Sequence, residues 1–332
     1  MNRRKLLLGA ASLAACARPA SGQAPTPFPM RRGVNLGNAL EAPNEGDWGY
    51  RIEPAHLEAI ASAGFDGIRL PVRWDAHASA RAPYTIARDF FARVDQVIEH
   101  ALALDLYVQL DAHHYAALIE HPRAERARLL AIWRQISERY TDHADRLMFE
   151  PLNEPHGDHW DGARLTDLQA EVVAVVRESN PTRLVVLGPG NWQNIDALAR
   201  WRPPSGANLA VSVHYYEPHA FTHQNAEWLG ADAPRFDRVW GADGDRAAVA
   251  AHIAQAANWA RTNGYAIQLG EFGVNTRVPL AQRVAWTRCV REACESHAMA
   301  WCAWDFAGAF AVWDRESGRY DAPLRDALLA PQ

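Results

Sequence analysis

The feature that most constrains the fold of this chain is a repeated alternation of short apolar segments with longer amphipathic ones. Eight apolar segments have the length of buried strands, and they lie at 33–36, 67–72, 107–111, 148–152, 184–187, 209–214, 266–269 and 300–304. Helical patterns lie between them, for example at 53–63, 90–104, 124–140, 165–178, 246–262 and 280–297. Eight strand and helix units in sequence are what a closed barrel requires, so we predict an α/β fold, a single-domain (β/α)8 TIM barrel.

The main alternative architecture is a doubly wound sheet, which also alternates strands and helices. Its dinucleotide-binding form carries a glycine fingerprint directly after the first strand. The corresponding run here, GVNLGN at 33–38, has the wrong glycine spacing, and the GPG turn at 188–190 lacks the fingerprint as well. The sequence therefore favours the barrel.

Residues 1–24 have the features of an export signal. A basic start, RRK at 3–5, precedes a short apolar run at 6–15 that cannot span a bilayer. The two arginines leave both the Tat and the Sec route open. The sequence LAAC at 13–16 resembles a lipobox, in which Cys16 would be lipidated, whereas ordinary cleavage after Ala17 or Ala24 would remove it. We assign 25–29 to a short linker and 30–330 to the barrel domain.

Charge and cysteine content fit an exported protein. Residues 1–24 carry four basic residues and no acidic one, so their removal takes the formal net charge from −5 to −9. An acidic surface disfavours binding to nucleic acid. The remaining cysteines, Cys289, Cys294 and Cys302, match no zinc spacing and indicate buried thiols. We expect a periplasmic or extracellular monomer whose contact with a membrane, if there is one, is a lipid anchor.

Polar and aromatic residues collect at the carboxyl ends of the predicted strands, the end at which barrel active sites form. They are Asn35, Asn38, Arg69, Asp111, His113, His114, Asn153, Glu154, His214, Tyr215, Tyr216, Glu271, Trp304 and Asp305. Stability alone does not require such groups at one end of each strand. The pattern therefore predicts an active site across the mouth of the barrel.

Two of these residues are glutamates in apolar contexts that contain glycine or proline. Glu154 lies in PLNEP at 151–155, and Glu271 lies in QLGEFG at 268–273. Two carboxylates that face each other across a cleft can hydrolyse a glycosidic bond, one as proton donor and the other as nucleophile. The predicted barrel would bring the two together, because strands four and seven end at the same mouth.

These strand-end residues resemble the signature of glycoside hydrolase family 5, in the clan of retaining barrel glycosidases. The resemblance covers about residues 30–328 and rests on Arg69, His113, Asn153, Glu154, His214, Tyr215, Tyr216, Glu271 and Trp304. It implies that Glu154 is the general acid/base and that Glu271 is the nucleophile. It implies no cofactor.

The resemblance also implies supporting roles. Arg69 would bind the nucleophile and keep its pKa low, and Tyr216 would contact the same carboxylate. Asn153 would hold the sugar 2-hydroxyl, and His214 would help to set the acid/base. His113 and Trp304 would form the wall and floor of the pocket. His114 and Asn35 are further candidates for contact with substrate. Tyr215 alternates to the opposite face from Tyr216 and is expected to pack.

The chain has 13 tryptophans, and their positions divide them into two groups. Trp133, Trp259 and Trp286 lie within helical patterns and are expected in the core. Seven more, Trp48, Trp74, Trp160, Trp192, Trp228, Trp240 and Trp313, lie mostly in segments that follow strands. We predict that Trp48, Trp192 and Trp228 stack on sugar rings, because a flat aromatic face suits a flat-faced ligand.

The resulting hypothesis is a retaining endo-β-1,4-glycanase that acts on β-glucan, most simply an endoglucanase. An endo-β-1,4-mannanase or a xyloglucanase on the same scaffold is the alternative. A noncatalytic carbohydrate-binding barrel would require loss of a catalytic carboxylate, and both are present. A metal-dependent amidohydrolase barrel would carry His-x-His on the first strand, where Asn35 stands, so we expect no catalytic metal.

Overall fold

The computed structural model describes residues 27–143, 145–160, 162–230 and 237–330. The predicted export signal with Cys16, and residues 25–26 of the predicted linker, lie outside the described residues. No helix among the residues described is long and apolar enough to cross a membrane.

Eight parallel strands close into a barrel in chain order, with β8 paired to β1. The strands are β1 (Arg32–Asn35), β2 (Gly67–Val72), β3 (Tyr107–Ala112), β4 (Leu147–Glu150), β5 (Val185–Leu187), β6 (Leu209–His214), β7 (Ala266–Glu271) and β8 (Ala300–Ala303). This arrangement confirms the predicted TIM barrel. The carboxyl ends of all eight strands therefore meet at one mouth.

Helices connect successive strands on the outside of the barrel. They are α1 (Pro54–Ala63), α2 (Arg88–Ala103), α3 (Ala116–Glu120), α4 (Pro122–Arg139), α5 (Gly162–Ser179), α6 (Gly190–Gln193, a single turn with left-handed backbone at 191–193), α7 (His219–Thr222), α8 (Asp245–Asn263), α9 (Leu280–Ser296) and, after β8, α10 (Ala322–Leu329). The six predicted helices agree with α1, α2, α4, α5, α8 and α9 to within about three residues at each end. The short turns, α10 and a small hairpin of β9 (Trp313–Asp314) and β10 (Arg319–Tyr320) were not predicted, because such short elements show little periodicity.

Two strands, β4 and β7, do not end at the last residue of the apolar segment, because a proline or a glycine sets the end of the strand. The predicted fourth strand extends to 152, but β4 stops at Glu150 because the following residue, Pro151, has no N–H for the ladder. The predicted seventh strand stops at 269, but β7 continues through Gly270 to Glu271. A side chain at 270 would overlap the Ser212 hydroxyl, so glycine is what lets β7 run on beside β6.

The tryptophans expected in the core lie there. Trp133 on α4 and Trp286 on α9 are fully buried, and Trp259 on α8 is partly buried against the same core. The indole N–H of Trp133 donates to the carbonyl oxygen of Pro151 at 3.0 Å. A helix is thereby fastened to the chain that leaves β4, the strand that leads to Glu154.

Polar side chains from four strands form a layer inside the upper barrel. Gln109 on β3 donates to Glu150 on β4 at 2.6 Å, and Gln268 on β7 donates to Gln109 at 2.8 Å. All three are fully buried, as is Arg69 on β2. This hydrogen-bonded layer is the platform on which the mouth of the barrel is built.

Candidate active site

A cleft of about 1210 Å³ lies at the carboxyl ends of the strands. Glu154, His214, Tyr216 and Glu271 line it together with His113, His114 and Trp304. Of the predicted site residues, Arg69, Asn153 and Asn35 do not line the cleft. They lie beneath it, 0–5% exposed, and act on the residues that do.

The guanidinium of Arg69 has five side-chain partners. Its Nε donates to Glu150 at 2.6 Å, Nη1 to Glu271 at 2.7 Å and to Asn35 at 3.0 Å, and Nη2 to Asn153 at 2.7 Å. Nη2 also lies 2.9 Å from Asp111. A guanidinium has five N–H groups, so each can meet one acceptor. This arginine both pairs with carboxylates in the barrel core and holds the predicted nucleophile.

Glu271 at the end of β7 is held on both carboxylate oxygens. Arg69 binds Oε1, and the Tyr216 hydroxyl donates to Oε2 at 2.8 Å. Burial raises the pKa of Glu271, whereas His214, Arg69 and the Tyr216 hydrogen bond act to lower it. The low pKa expected from Arg69 is therefore not found. The reason is that burial outweighs a cation that is shared with Glu150 and Asp111.

Glu154 follows β4 and faces a more open part of the cleft, with its side chain 27% exposed. Its Oε1 shares a 2.8 Å hydrogen bond with Nδ1 of His214. Desolvation raises the pKa of Glu154 to about 7, although Arg69 and His156 lower it in part. Burial disfavours the charged form of His214 as well and lowers its pKa to about 4, so this imidazole is neutral at pH 7. Near neutral pH, Glu154 can both hold and release a proton.

The two glutamates are close enough to act on one bond. Oxygen atoms of Glu154 and Glu271 and a nitrogen of His214 all lie within 4.8 Å of one another. Retaining glycosidases place their carboxyl groups about 5–5.5 Å apart, whereas inverting ones leave about 6.5–9.5 Å for a water. The same three groups are the one cluster among the described residues whose spacing would suit a metal ion.

His113 and His114 follow β3, the strand next to β4, and line the cleft together with Glu154. His113 Nδ1 lies 2.6 Å from Asp111, and its ring stacks on Trp304 with centroids 5.2 Å apart. Burial lowers the pKa of His113 well below its usual value and raises that of Asp111. His114 meets Trp48 edge to face at 5.7 Å, and burial lowers its pKa to about 4. This wall is uncharged imidazole and indole, which suits a neutral ligand.

Asn35 differs from its predicted role in substrate contact. Its Oδ1 accepts from Arg69, and its Nδ2 donates to the carbonyl oxygen of Gly270 at 3.0 Å. With both polar atoms engaged below the cleft, it braces β1 against β7 instead. Asn153 also accepts from Arg69, through Oδ1, which orients its amide directly next to Glu154.

Two buried acids, Glu41 and Asp305, join the loops after β1 and β8 through the partly buried Asn38, and sequence reasoning did not single these three out as a unit. Both carboxylate oxygens of Glu41 accept backbone N–H groups, of Asn38 and of Ala39. The side chain of Asn38 in turn donates to Asp305 at 2.6 Å. Burial raises the pKa of Glu41 to about 8 and that of Asp305 to about 7. This cluster holds Asn38 at the edge of the cleft.

The loop tryptophans divide by exposure. Trp74, Trp160 and Trp240 are 2–5% exposed and belong to the core, whereas Trp48, Trp192 and Trp228 are 43%, 51% and 55% exposed and line the cleft. Trp48 follows β1 and Trp192 follows β5, which are four strands apart in a ring of eight. The exposed indoles therefore lie on opposite sides of the mouth, and a long ligand could extend between them.

Two residues of this site gave little signal in the sequence. Glu150 is an acidic residue at the end of the otherwise apolar strand β4. That position is the one local indication that the fold pairs it with a buried cation. Gln193, whose Oε1 accepts the Glu154 backbone N–H at 2.8 Å, lies in a turn with no recognisable motif. Its proximity to Glu154 arises only from the closure of β5 beside β4.

Removal of the Arg69 charge is expected to destabilise the fold. In Arg69→Met, the carboxylates of Glu150, Asp111 and Glu271 would lose their shared cation, and breaking such a buried pair costs about 3–5 kcal/mol. Arg126→Met, which removes an exposed pair with Glu171, should leave the stability close to that of the unsubstituted protein, because water and salt screen such a pair. Urea unfolding at pH 7 measures both, and equal stability of the two variants would contradict the role given to Arg69.

Comparison with known proteins gives a consistent family. Residues 30–309 match the family model described as Cellulase (glycosyl hydrolase family 5). The chain is 32% identical over 322 residues to Endoglucanase H of Acetivibrio thermocellus, covering 94% of this chain and 34% of that protein. It is 27% identical over 335 residues to the xyloglucan-specific endo-beta-1,4-glucanase BoGH5A of Bacteroides ovatus, covering 87% and 66%. The chain thus spans about a third of the length of the first of these relatives.

Solved structures share the fold along nearly the whole chain. Cel5A of Thermotoga maritima in complex with cellobiose superimposes with a TM-score of 0.88 at 38% identity, over 90% of this chain and 97% of that one. The same enzyme has also been solved with mannotriose, at a TM-score of 0.86 and 37% identity, with the same coverage.

Proposed function

Because the chain belongs to glycosyl hydrolase family 5, we propose that it is a retaining endo-β-1,4-glucanase that cleaves β-glucan by double displacement. The observation that carries the proposal is the pair of glutamates at the mouth, whose oxygens lie within 4.8 Å. That spacing leaves no room for a water between a base and the sugar, and it suits direct attack by a carboxylate.

The roles follow from the different surroundings of the two carboxylates. Glu271 is held by Arg69 and Tyr216 in the position of a nucleophile, and both partners stabilise its ionised form. Glu154 has a pKa of about 7 and lies nearer solvent, so it holds the proton that a leaving sugar needs. Environments that separate two carboxylates in this way assign the acid and the nucleophile.

In the first step, a Glu271 oxygen attacks the anomeric carbon while Glu154 protonates the departing glycosidic oxygen. The products are a glycosyl ester on Glu271 and a free sugar end. In the second step, Glu154 takes a proton from water, which attacks the anomeric carbon and releases Glu271. Two inversions give net retention.

The supporting residues act through these two. Arg69 and Tyr216 orient Glu271, His214 bonds to Glu154, and the Asn153 amide, held by Arg69, is placed for the sugar 2-hydroxyl. His113, His114 and Trp304 form the wall against which the cleaved sugar lies.

The catalytic pair is tested by separate variants. Glu271→Ala should lose all but a few per cent of activity on soluble β-glucan and on a dinitrophenyl cellobioside, because no ester can form. Glu154→Gln should lose β-glucan hydrolysis but still release dinitrophenol, whose oxygen needs no proton, and added azide should give a β-glycosyl azide. Glu99→Gln, an exposed glutamate on α2, is the matched control.

The pH profile provides the second half of that test. Activity on β-glucan should fall above about pH 7 as Glu154 loses its proton, and fall at acid pH as Glu271 gains one. Dinitrophenol release by Glu154→Gln should show no loss near pH 7. Retention of more than about a tenth of β-glucan activity by either variant would rule out the assigned roles.

Residues at the edge of the cleft, rather than the two glutamates, select which polysaccharide binds. The exposed faces of Trp48, Trp192 and Trp228 span the mouth and suit a linear polymer that is cut internally. BoGH5A is named for xyloglucan, and Cel5A has been solved with mannotriose, so mannanase and xyloglucanase activity remain the alternatives on this scaffold.

A substrate panel distinguishes these alternatives. We expect purified protein to cleave carboxymethylcellulose faster than mannan or xyloglucan, with early release of products longer than cellobiose. Trp228→Ala should raise KM on polymer more than it lowers kcat, because it removes sugar stacking and not the reacting groups. Trp313→Ala, on the outer hairpin, is the control. A higher kcat/KM on mannan or xyloglucan would change the substrate assignment.

The location of the protein belongs to the same proposal. A polymer substrate lies outside the cell, which agrees with an export signal at 1–24 and a protein that works in the periplasm or medium as a monomer. Cleavage after Ala17 or Ala24 would release it, whereas lipidation of Cys16 would anchor it to a membrane. These forms differ in mass, so intact mass spectrometry of material from the native host separates them.

A further inference from the structure

The backbone of Glu154 is held from two directions by the turn that follows β5. Its N–H donates to Oε1 of Gln193 at 2.8 Å. Its carbonyl oxygen lies 2.7 Å from Nδ1 of His156, whose ring stacks on Trp192 with centroids 4.6 Å apart and planes 9° from parallel. Both main-chain polar groups of this residue are therefore tied to neighbouring positions of one turn, Trp192 and Gln193.

This turn has an uncommon backbone. Asn191, Trp192 and Gln193 have φ values of 55°, 57° and 53°, and Glu154 itself has a φ of 47°. Residues other than glycine adopt such left-handed conformations only where the surroundings over-determine them, and they cluster at functional sites. The left-handed turn sends the Trp192 side chain outward to the cleft and the Gln193 side chain into the barrel, 51% and 0% exposed.

The Gln193 carboxamide has little freedom in the barrel. A side chain at Gly188 would overlap it, so only glycine leaves room at that point. Its Nε2 lies 3.3 Å from the carbonyl oxygen of Ser212 and 3.4 Å from Oε1 of Glu150. Because the nitrogen faces these two acceptors, the oxygen faces the Glu154 N–H.

We propose that Gln193 is a positioning residue for proton transfer by Glu154, an inference that rests on the proposed role of Glu154 as the acid/base. Gln193 connects Glu154 to Glu150, which is bound to Arg69, and Arg69 binds the nucleophile. The acid/base and the nucleophile are thus held in one hydrogen-bonded frame. A loss of this link displaces the Glu154 carboxyl from the glycosidic oxygen and leaves Glu271 in place.

The proposal predicts a defect that depends on the leaving group. Gln193→Met keeps the length of the side chain and removes its hydrogen bonds to Glu154, Glu150 and Ser212. It should lower kcat/KM on soluble β-glucan by about tenfold or more, since general acid catalysis contributes about 10²–10⁴-fold. On dinitrophenyl cellobioside, whose leaving group needs no proton, the rate of dinitrophenol release in the first turnover should change by less than about threefold.

Two further variants control for folding and for the acceptor. Burial and the nearby Glu150 carboxylate favour the protonated form of a glutamate at this position. Gln193→Glu then keeps an oxygen for the Glu154 N–H and an O–H for Glu150, and it should recover most of the β-glucan activity relative to Gln193→Met. Gln255→Ala on α8 removes an exposed glutamine that bonds only to Asp196 and should leave both substrates unaffected. If Gln193→Met does not fold by circular dichroism, Gln193→Asn, which is too short to reach, replaces it.

The outcomes separate the inference from the function on which it rests. Equal losses on both substrates, or no loss on either, with Glu154→Gln still showing the split between substrates, would overturn the role of Gln193 alone. An absence of that split in Glu154→Gln itself would overturn the proposed acid/base and the positioning role with it. A selective loss on β-glucan in Gln193→Met, recovered in Gln193→Glu, is the result that we expect.

Discussion

The site depends on one buried cation. The Arg69 guanidinium lies inside the barrel with no exposure and directs its five N–H groups to Glu150, Glu271, Asn35, Asn153 and Asp111. A buried charge is tolerated only where it is paired and fully hydrogen-bonded, so these partners cannot move independently. Glu271, the Asn153 amide beside Glu154 and the brace between β1 and β7 are therefore fixed by the same group.

The two glutamates differ in their contact with Arg69 and in their exposure to solvent. Glu271 contacts Arg69 directly and is nearly enclosed, whereas Glu154 is connected to Arg69 through intermediates such as Glu150 and Gln193 and lies closer to solvent. Burial raises the pKa of both, but only Glu271 has a cation and a tyrosine hydroxyl on its oxygens. Retaining chemistry needs this asymmetry, because one group must attack as an anion while the other carries a proton. The three exposed indoles at the edge of the cleft lie on loops, and loops tolerate sequence change better than the strands that carry the two glutamates.

Much of the architecture could be predicted because it follows from periodic patterns. The bounds of β2 and β6 agree at both ends with the apolar runs, and α2 buries Phe91, Val94, Val97, Ile98 and Ala101 at helical spacing. The division of the tryptophans also follows from position, since those in helices pack inward and three in strand-end loops remain exposed. Two strand ends differ from the prediction because Pro151 and Gly270 override the hydrophobic run, and the short elements α10, β9 and β10 were not predicted.

The site shows where such reasoning ends. The sequence by itself determined the barrel, the identity of the strand-end residues and hence which end of the barrel carries the chemistry, because strand period and chain order are local properties. Only the tertiary structure decided that Asn35 is a brace rather than a sugar contact, that Glu150 and Asp111 share the arginine, and that Gln193 reaches Glu154. These contacts join residues 39 to 235 positions apart, and the closure of the barrel is what sets their distances.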